Sequence, residues 1–336
     1  MIVALGAAAR SCLIALVLLA SAGASASPAD PFRFFAPGSF WNAVPPAGAP
    51  LDNGSTAAVA ALRKIELAEQ SAKHGPTINT TSWSVPIYTV PSGQPKVPVT
   101  LVNNVMASLQ LAWNAVPLPA NAQAAAGGDE QLVVWQPSRD RMWEFWRLEE
   151  VDEAWSASWG GAMREVSANS GVYGPEAWRG ASSTWGASAS SLPLVGGLIT
   201  LEDLEKGTIN HALAISVPNV RAGVYASPAQ RTDGTSAEPS SLPEGAHLRL
   251  DPTLDLASLH LPPLTLMMAE AAQRYGIFVR DRASNLAFYA QDPTPTGSNP
   301  YLGVGGYFEG QSPSKLLASF PWGHLQLLKM ELHATS

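Results

Sequence analysis

The segment Asp129 to Trp159, DEQLVVWQPSRDRMWEFWRLEEVDEAWSASW, constrains the fold more than any other. It holds five of the 11 tryptophans: Trp135, Trp143, Trp146, Trp155 and Trp159. Apolar and polar residues alternate on either side of Pro137-Ser138-Arg139-Asp140. That pattern predicts strands over 130–135 and 142–148, joined by a turn and running on towards a third. Successive strand side chains point to opposite faces, so Met142, Glu144 and Trp146 share one face and Trp143, Phe145 and Arg147 the other. The indoles split between two faces, so several must be core. The hairpin contributes one acid, Glu144, beside aromatic rings.

The remaining composition points to an exported, β-rich chain. Charged residues are only 14% of it, against 28 glycines and 28 prolines, which suits many short strands with long ordered loops. Residues 1–26, MIVALGAAARSCLIALVLLASAGASA, read as a secretory signal. Arg10 precedes an apolar run too short for a membrane span, and Ala24-Ser25-Ala26 supplies the cleavage site. The single cysteine, Cys12, falls within it, so the mature protein has no thiol or disulfide. A secreted, extracellular, bacterial protein is expected. The net charge of −7 comes with no basic run, which excludes a nucleic acid partner because phosphate neutralisation needs clustered Lys and Arg. No second apolar run has membrane length, so no membrane partner is expected after cleavage, and the chain is expected to be monomeric.

Along the mature chain, 27–52 is an aromatic and proline-rich arm packed on the core. A helix follows over 55–73, capped by Asn53 or Ser55, then strands over 85–90 and 97–102. Thr200 and Asp203 open a short helix that stops at Gly207. Ile209–Val217 alternates as a strand, with Gly223–Ser227 as its hairpin partner, and His247–Leu250 is another strand. Pro262-Pro263 opens an amphipathic helix ending at Gly276. A hairpin follows, with strands 277–280 and 286–289 about a turn at Asp281–Asn285. Strands run throughout, helices are isolated inserts, and there is no internal repeat. The fold class expected is mainly β: a single jelly-roll or concanavalin-like β-sandwich over 27–336 with a few short helices.

Four groups could carry chemistry. Glu144, flanked by bulky apolar neighbours, would have its carboxylate disfavoured by desolvation, as a general acid for glycosidic cleavage requires; alternatively it pairs with an arginine such as Arg164. Asp129 is a second carboxylate, placed by the register near Leu148 rather than beside Glu144; it is otherwise a turn residue or a calcium ligand. His211, on the Leu213/Ile215 face of its strand, is either a satisfied core histidine or the base a uronate lyase needs. Arg231 and Asp233 form either a loop ion pair or a clamp for a sugar or carboxylate, since an arginine fork binds a uronate bidentately, and Asp233 is the alternative to Asp129 as the second catalytic carboxylate. Tyr225, with Trp143 and Trp146, would line the same cleft. GxSxG, HExxH, phosphate-loop and dinucleotide motifs are absent, and the six histidines lack metal-ligand spacing. No cofactor is expected beyond a structural calcium.

The ordered series FFAPGSFWNAVPP, DEQLVVWQP with MWEFWRL, SSLPLVGGLITLEDLEKGTINHALAISVP, PAQRTDG, PEGAHLRLDP and MMAEAAQRYGIFVRD with FYAQDP resembles a group of exported, mainly actinobacterial proteins of unassigned activity. The similarity spans nearly all of the mature chain. It implies a concanavalin-like or jelly-roll sandwich, an architecture shared by glycoside hydrolases, polysaccharide lyases and carbohydrate-binding modules. Within that group the position of Gln131 often carries histidine. Two readings result: a carbohydrate-active enzyme, hydrolase before lyase, acting on a polysaccharide or oligosaccharide, and a non-catalytic binding or envelope protein using the same cleft.

Overall fold

The structure is a computed structural model that describes Met1, residues 33–102 and residues 106–335. The expected signal segment with Cys12, and residues 27–32 of the arm, lie outside the described residues. The chain divides after Phe32, and the unit from Arg33 onward is described by itself.

Among its described residues this unit is mostly β, with five α-helices and no barrel. In chain order its first half contains α1 (Ser55–Ala72), β1 (Thr77–Asn79), β2 (Val85–Thr89), β3 (Val99–Leu101), α2 (Ala107–Trp113), β4 (Leu132–Gln136), β5 (Arg141–Val151) and β6 (Ala154–Arg164). Its second half contains α3 (Leu201–Lys206), β7 (Leu213–Val217), β8 (Val224–Ala226), β9 (His247–Leu250), α4 (Pro263–Arg274), β10 (Ile277–Arg282), β11 (Ala287–Tyr289), β12 (Gln291–Asp292), α5 (Pro313–Leu317), β13 (Leu325–Leu327) and β14 (Leu332–Ala334). One six-stranded sheet runs β1-β11-β7-β10-β9-β13, a second runs β12-β2-β4-β5-β6-β3, and β14 pairs with β8 alone.

Local chemistry explains several elements. Proline at 137 and Asp140 at φ +49 turn the chain between β4 and β5, which pair antiparallel from Leu132↔Phe145 to Gln136↔Arg141. The third strand of the aromatic segment is β6, paired along the whole of β5. Thr200 and Asp203 make the expected capping box on α3, and Gly207 closes it at φ +69. Helix α1 differs in its cap: Gly54 holds that position, and the Ser55 hydroxyl instead accepts the Leu327 amide.

The pairing departs from the sequence expectation in two places. The strands flanking the 281–285 turn are not a hairpin, because β7 lies between β10 and β11, parallel to the first and antiparallel to the second. Gly223–Ser227 does not pair with β7 either; β8 joins β14 near the C-terminus. Local alternation cannot register either arrangement, since both depend on partners distant in sequence. Five strand pairs are parallel: β1 with β11, β7 with β10, β12 with β2, β2 with β4 and β3 with β6. That mixture differs from the antiparallel order of a jelly roll.

Both faces of the first sheet are covered. Leu213, Ile215, Val279 and Phe288 pack with Leu62 of α1, Leu264 and Met268 of α4, and Phe320 and Trp322. On its other face Ala214, Phe278 and Tyr289 join the apolar cluster of the second sheet, which includes Val133, Met142 and Phe145. The arm residues Phe35 and Trp41 are buried in that same cluster. The two sheets therefore share one core, with the long segment between β6 and α3 built into it through Tyr173, Trp185 and Leu194.

Candidate functional site

Alternation in β5 holds. Trp143 and Phe145 face α2: the Trp143 indole donates to the Ala112 carbonyl at 3.1 Å, and Phe145 packs against Trp113. Trp143 is buried core, not a cleft residue. Glu144 and Trp146 share the opposite face but meet different surroundings.

Glu144 is fully buried, at 0% exposure. Its two carboxylate oxygens accept the amides of Ala187 and Leu194, each at 2.8 Å. Gly161, paired opposite it, leaves room for the Tyr173 ring; a Cβ there would lie 2.5 Å from Cζ of Tyr173. Burial raises the Glu144 pKa, against the lowering effects of the two amides, the Tyr173 phenol and the Arg280 guanidinium. The expected elevation is present, but the carboxylate faces the core and pins a loop. It cannot touch a substrate, so the assignment of Glu144 as catalytic acid is corrected.

Trp146, one step along the same face, reaches a cavity of about 370 Å³. Its cross-strand partner is Trp159, so two indoles stand side by side in one wall. Asp129 and Gln131 form the edge before β4, Ala187–Ala189 a second wall, and Arg231, Asp233, Asp281 and Arg282 the remainder. The Asp129 carbonyl accepts the Arg147 amide, one residue short of the expected Leu148, and its Oδ1 accepts the Trp146 indole N–H at 3.1 Å. Four of the expected residues, Asp129, Trp146, Arg231 and Asp233, thus converge on one cavity.

The two arginines in this wall are already engaged. Arg231 donates to the backbone carbonyls of Ala189, Thr184, Gly186 and Ser188 at 2.7 to 3.0 Å, which accounts for four of its five N–H groups. It holds the loop from the carbonyl side while Glu144 holds it from the amide side. Arg282 places Nε and Nη2 on one oxygen of Asp233, at 3.2 and 3.1 Å. The expected Arg231/Asp233 pair is therefore replaced by Arg282/Asp233, and the uronate fork expected at Arg231 is occupied by backbone.

Asp281 was read as the first residue of a turn. It ends in the cavity wall, in β10 just past an irregularity in the β7 pairing. Its Oδ1 accepts the Arg282 amide at 3.0 Å. Burial, with the nearby charges of Asp233 and Asp129 and against that of Arg280, moves its pKa from 3.8 up to about 7. Behind it Glu244 is fully buried and accepts the Asp233 amide. Desolvation and the Asp281 charge raise its pKa to about 8, so Glu244 is protonated at neutral pH. The signal available in the sequence was Arg280-Asp281-Arg282, an acid between cations at the end of an apolar strand. Arg282 and Glu244 carried no comparable signal beyond this.

His211 and Tyr225 lie elsewhere. His211 precedes β7 instead of leading it, with a side chain 16% exposed. Its Nδ1 faces the Ala212 carbonyl at 2.8 Å and its Nε2 faces Asp203 Oδ2 at 3.1 Å. Both ring nitrogens meet acceptors, an arrangement that the doubly protonated imidazolium satisfies. Burial works against that charge, but Asp203 outweighs it and the His211 pKa is raised. Outside the cavity, with both ring nitrogens on acceptors, His211 cannot be a lyase base there. Tyr225 stacks on His333 in the small sheet, with ring centroids 5.3 Å apart, and does not line the cavity.

Among the described residues no group of three or more His, Cys, Asp or Glu could hold a metal ion. Also among the described residues, no helix is long and apolar enough to cross a membrane. No protein-family model, curated protein or solved structure matches the chain.

Proposed function

We propose that the chain is a secreted carbohydrate-active protein built as a β-sandwich, and that the cavity between Trp146, Trp159, Asp129 and Asp281 cleaves glycosidic bonds. The observation that carries this reading is one cavity walled by paired indoles and containing a carboxyl group with a pKa of about 7. Indole faces stack on the C–H faces of a sugar ring. Asp281 stays protonated into the neutral range and donates its proton to the glycosidic oxygen as the C–O bond breaks. Asp129, held by the Trp146 N–H, is the second carboxylate: it takes a proton from a water whose hydroxyl bonds to the anomeric carbon as the leaving oxygen departs. Trp146 keeps the binding role the sequence suggested, while Arg231 positions the wall and Asp233, expected as an alternative second carboxylate, is tied to Arg282.

A second reading has an observation of its own. With Arg231 on carbonyls and Asp233 on Arg282, the cavity offers few uncommitted polar groups, which suits a binding module. The test is a panel of neutral and acidic polysaccharides incubated with purified protein, reading reducing ends and glycan binding. Product that disappears in Asp281→Asn while binding persists supports the hydrolase. Binding without product on every glycan supports the module, and neither binding nor product removes the carbohydrate reading altogether.

A further inference from the structure

Trp83 lies between β1 and β2 and is 51% exposed. It adopts φ +49, a backbone region that a bulky aromatic seldom occupies. Three contacts hold it there. Its amide donates to the Ala126 carbonyl at 2.8 Å, its carbonyl accepts from Asn79 Nδ2 at 3.2 Å, and Ser82 bridges Ala126. One side of the indole rests on Gly127, where a Cβ would come within 2.7 Å of Cε2. Gly127 also has φ +98, so glycine is required there both for its conformation and for the close approach of the ring. The fold thus presents a flat aromatic surface, backed on one side and open on the other.

The glycine under that surface is close in the chain to the cavity wall. Gly127 and Asp129 are two residues apart, so their Cα atoms are at most about 7.6 Å apart, and Asp129 is a wall of the cavity. Between them the Gly128 carbonyl accepts Arg147 Nε at 3.4 Å, and the Arg147 guanidinium lies 4.5 Å over the Trp146 ring. The Gly127-Gly128-Asp129 backbone therefore links the glycine under Trp83 to the Arg147 guanidinium on Trp146 and to the cavity wall.

We infer that Trp83 is an outer stacking subsite of the cavity, taking a sugar ring of the same chain whose neighbouring units occupy the space beside Trp146. This rests on the carbohydrate reading and deepens it: the ligand is an extended oligosaccharide, not a monosaccharide. Planar stacking without a charged contact selects for a ring face and tolerates variation in its substituents.

The test compares wild type with Trp83→Asn and Trp83→Tyr, titrating oligosaccharides of increasing length from whichever glycan of the panel binds. Asn tolerates positive φ, so Trp83→Asn removes the ring without adding backbone strain and its melting temperature should not fall. The expected result is an affinity about tenfold weaker for long oligomers, equivalent to about 1.4 kcal/mol, with no change for the shortest ones, and recovery in Trp83→Tyr. Affinity in Trp83→Asn equal to that of wild type at every length, with turnover still abolished by Asp281→Asn, overturns the subsite and leaves the carbohydrate reading intact. Wild type that binds no glycan of any length overturns both.

Discussion

Glu144 and Asp281 invite comparison. Each is a carboxyl group at the interface of the two sheets, each feels Arg280, and burial raises the pKa of both. They differ in what completes them. Glu144 has both oxygens on backbone amides and the Tyr173 ring against it, and is sealed from solvent. Asp281 has one oxygen on its neighbour's amide and borders a cavity. Two acids shifted in the same direction therefore do different work, one holding a wall and the other facing what the wall encloses. A shifted pKa marks a candidate, and unsatisfied valence beside open space decides whether it can react.

The comparison breaks first at turnover. Asp281→Asn should lower glycan cleavage by about 10²- to 10⁴-fold with the melting temperature nearly unchanged. In wild type the rate should fall as pH rises through about 7, because the donor is then ionised. A rate that instead rises across that range rules Asp281 out as the acid.

Glu144→Ala should act through stability. It strands the buried amides of Ala187 and Leu194, and urea unfolding should show a loss of about 2 to 5 kcal/mol. Glu144→Gln keeps one acceptor and should lose less. If either variant folds as well as wild type yet loses turnover alone, the contrast between the two acids fails.

Arg231→Lys keeps the charge but not the planar fork. Hydrogen exchange at the amides of 184–189 should quicken, with stability lower by about 1 to 3 kcal/mol. Unchanged exchange would mean that the carbonyl contacts do not hold the loop.

The smallest effect is expected at His211, away from both acids. Its folded pKa is raised, so its contribution is complete below the ordinary histidine value of about 6.5 and is lost as pH rises through the higher folded value. His211→Ala should cost about 1 kcal/mol in acid and progressively less towards alkaline pH, without altering turnover per folded molecule. A cost that grows with pH would reverse the assigned proton state.

Much of the fold was legible because its signals are short in range. Alternation in β5 put Trp143 and Trp146 on opposite faces, the capping box set the start of α3, and the register carried Asp129 to Arg147 and Leu148. The site was legible only in part. Asp129, Trp146, Arg231 and Asp233 were named and do meet, but their partners were not those expected. Arg231 could not be assigned to backbone carbonyls from its own neighbours, nor Asp281 to a cavity when its sequence reads as a turn. Trp83 gave no periodic signal, because its exposure follows from a left-handed backbone and a glycine 44 positions later.

The sequence by itself determined that the chain is mostly β with isolated helices, that Trp143 and Phe145 face away from Glu144 and Trp146, and that tryptophan and carboxylate come together around residues 129–159. These follow from steric preferences and hydrogen bonds acting over a few residues. Tertiary structure decided that β7 separates β10 from β11, that the 184–194 loop is held between Glu144 and Arg231, and that Asp281, not Glu144, faces the cavity. Each of those outcomes depends on which distant group satisfies a buried donor or acceptor, and that is settled only when the sheets close on one another.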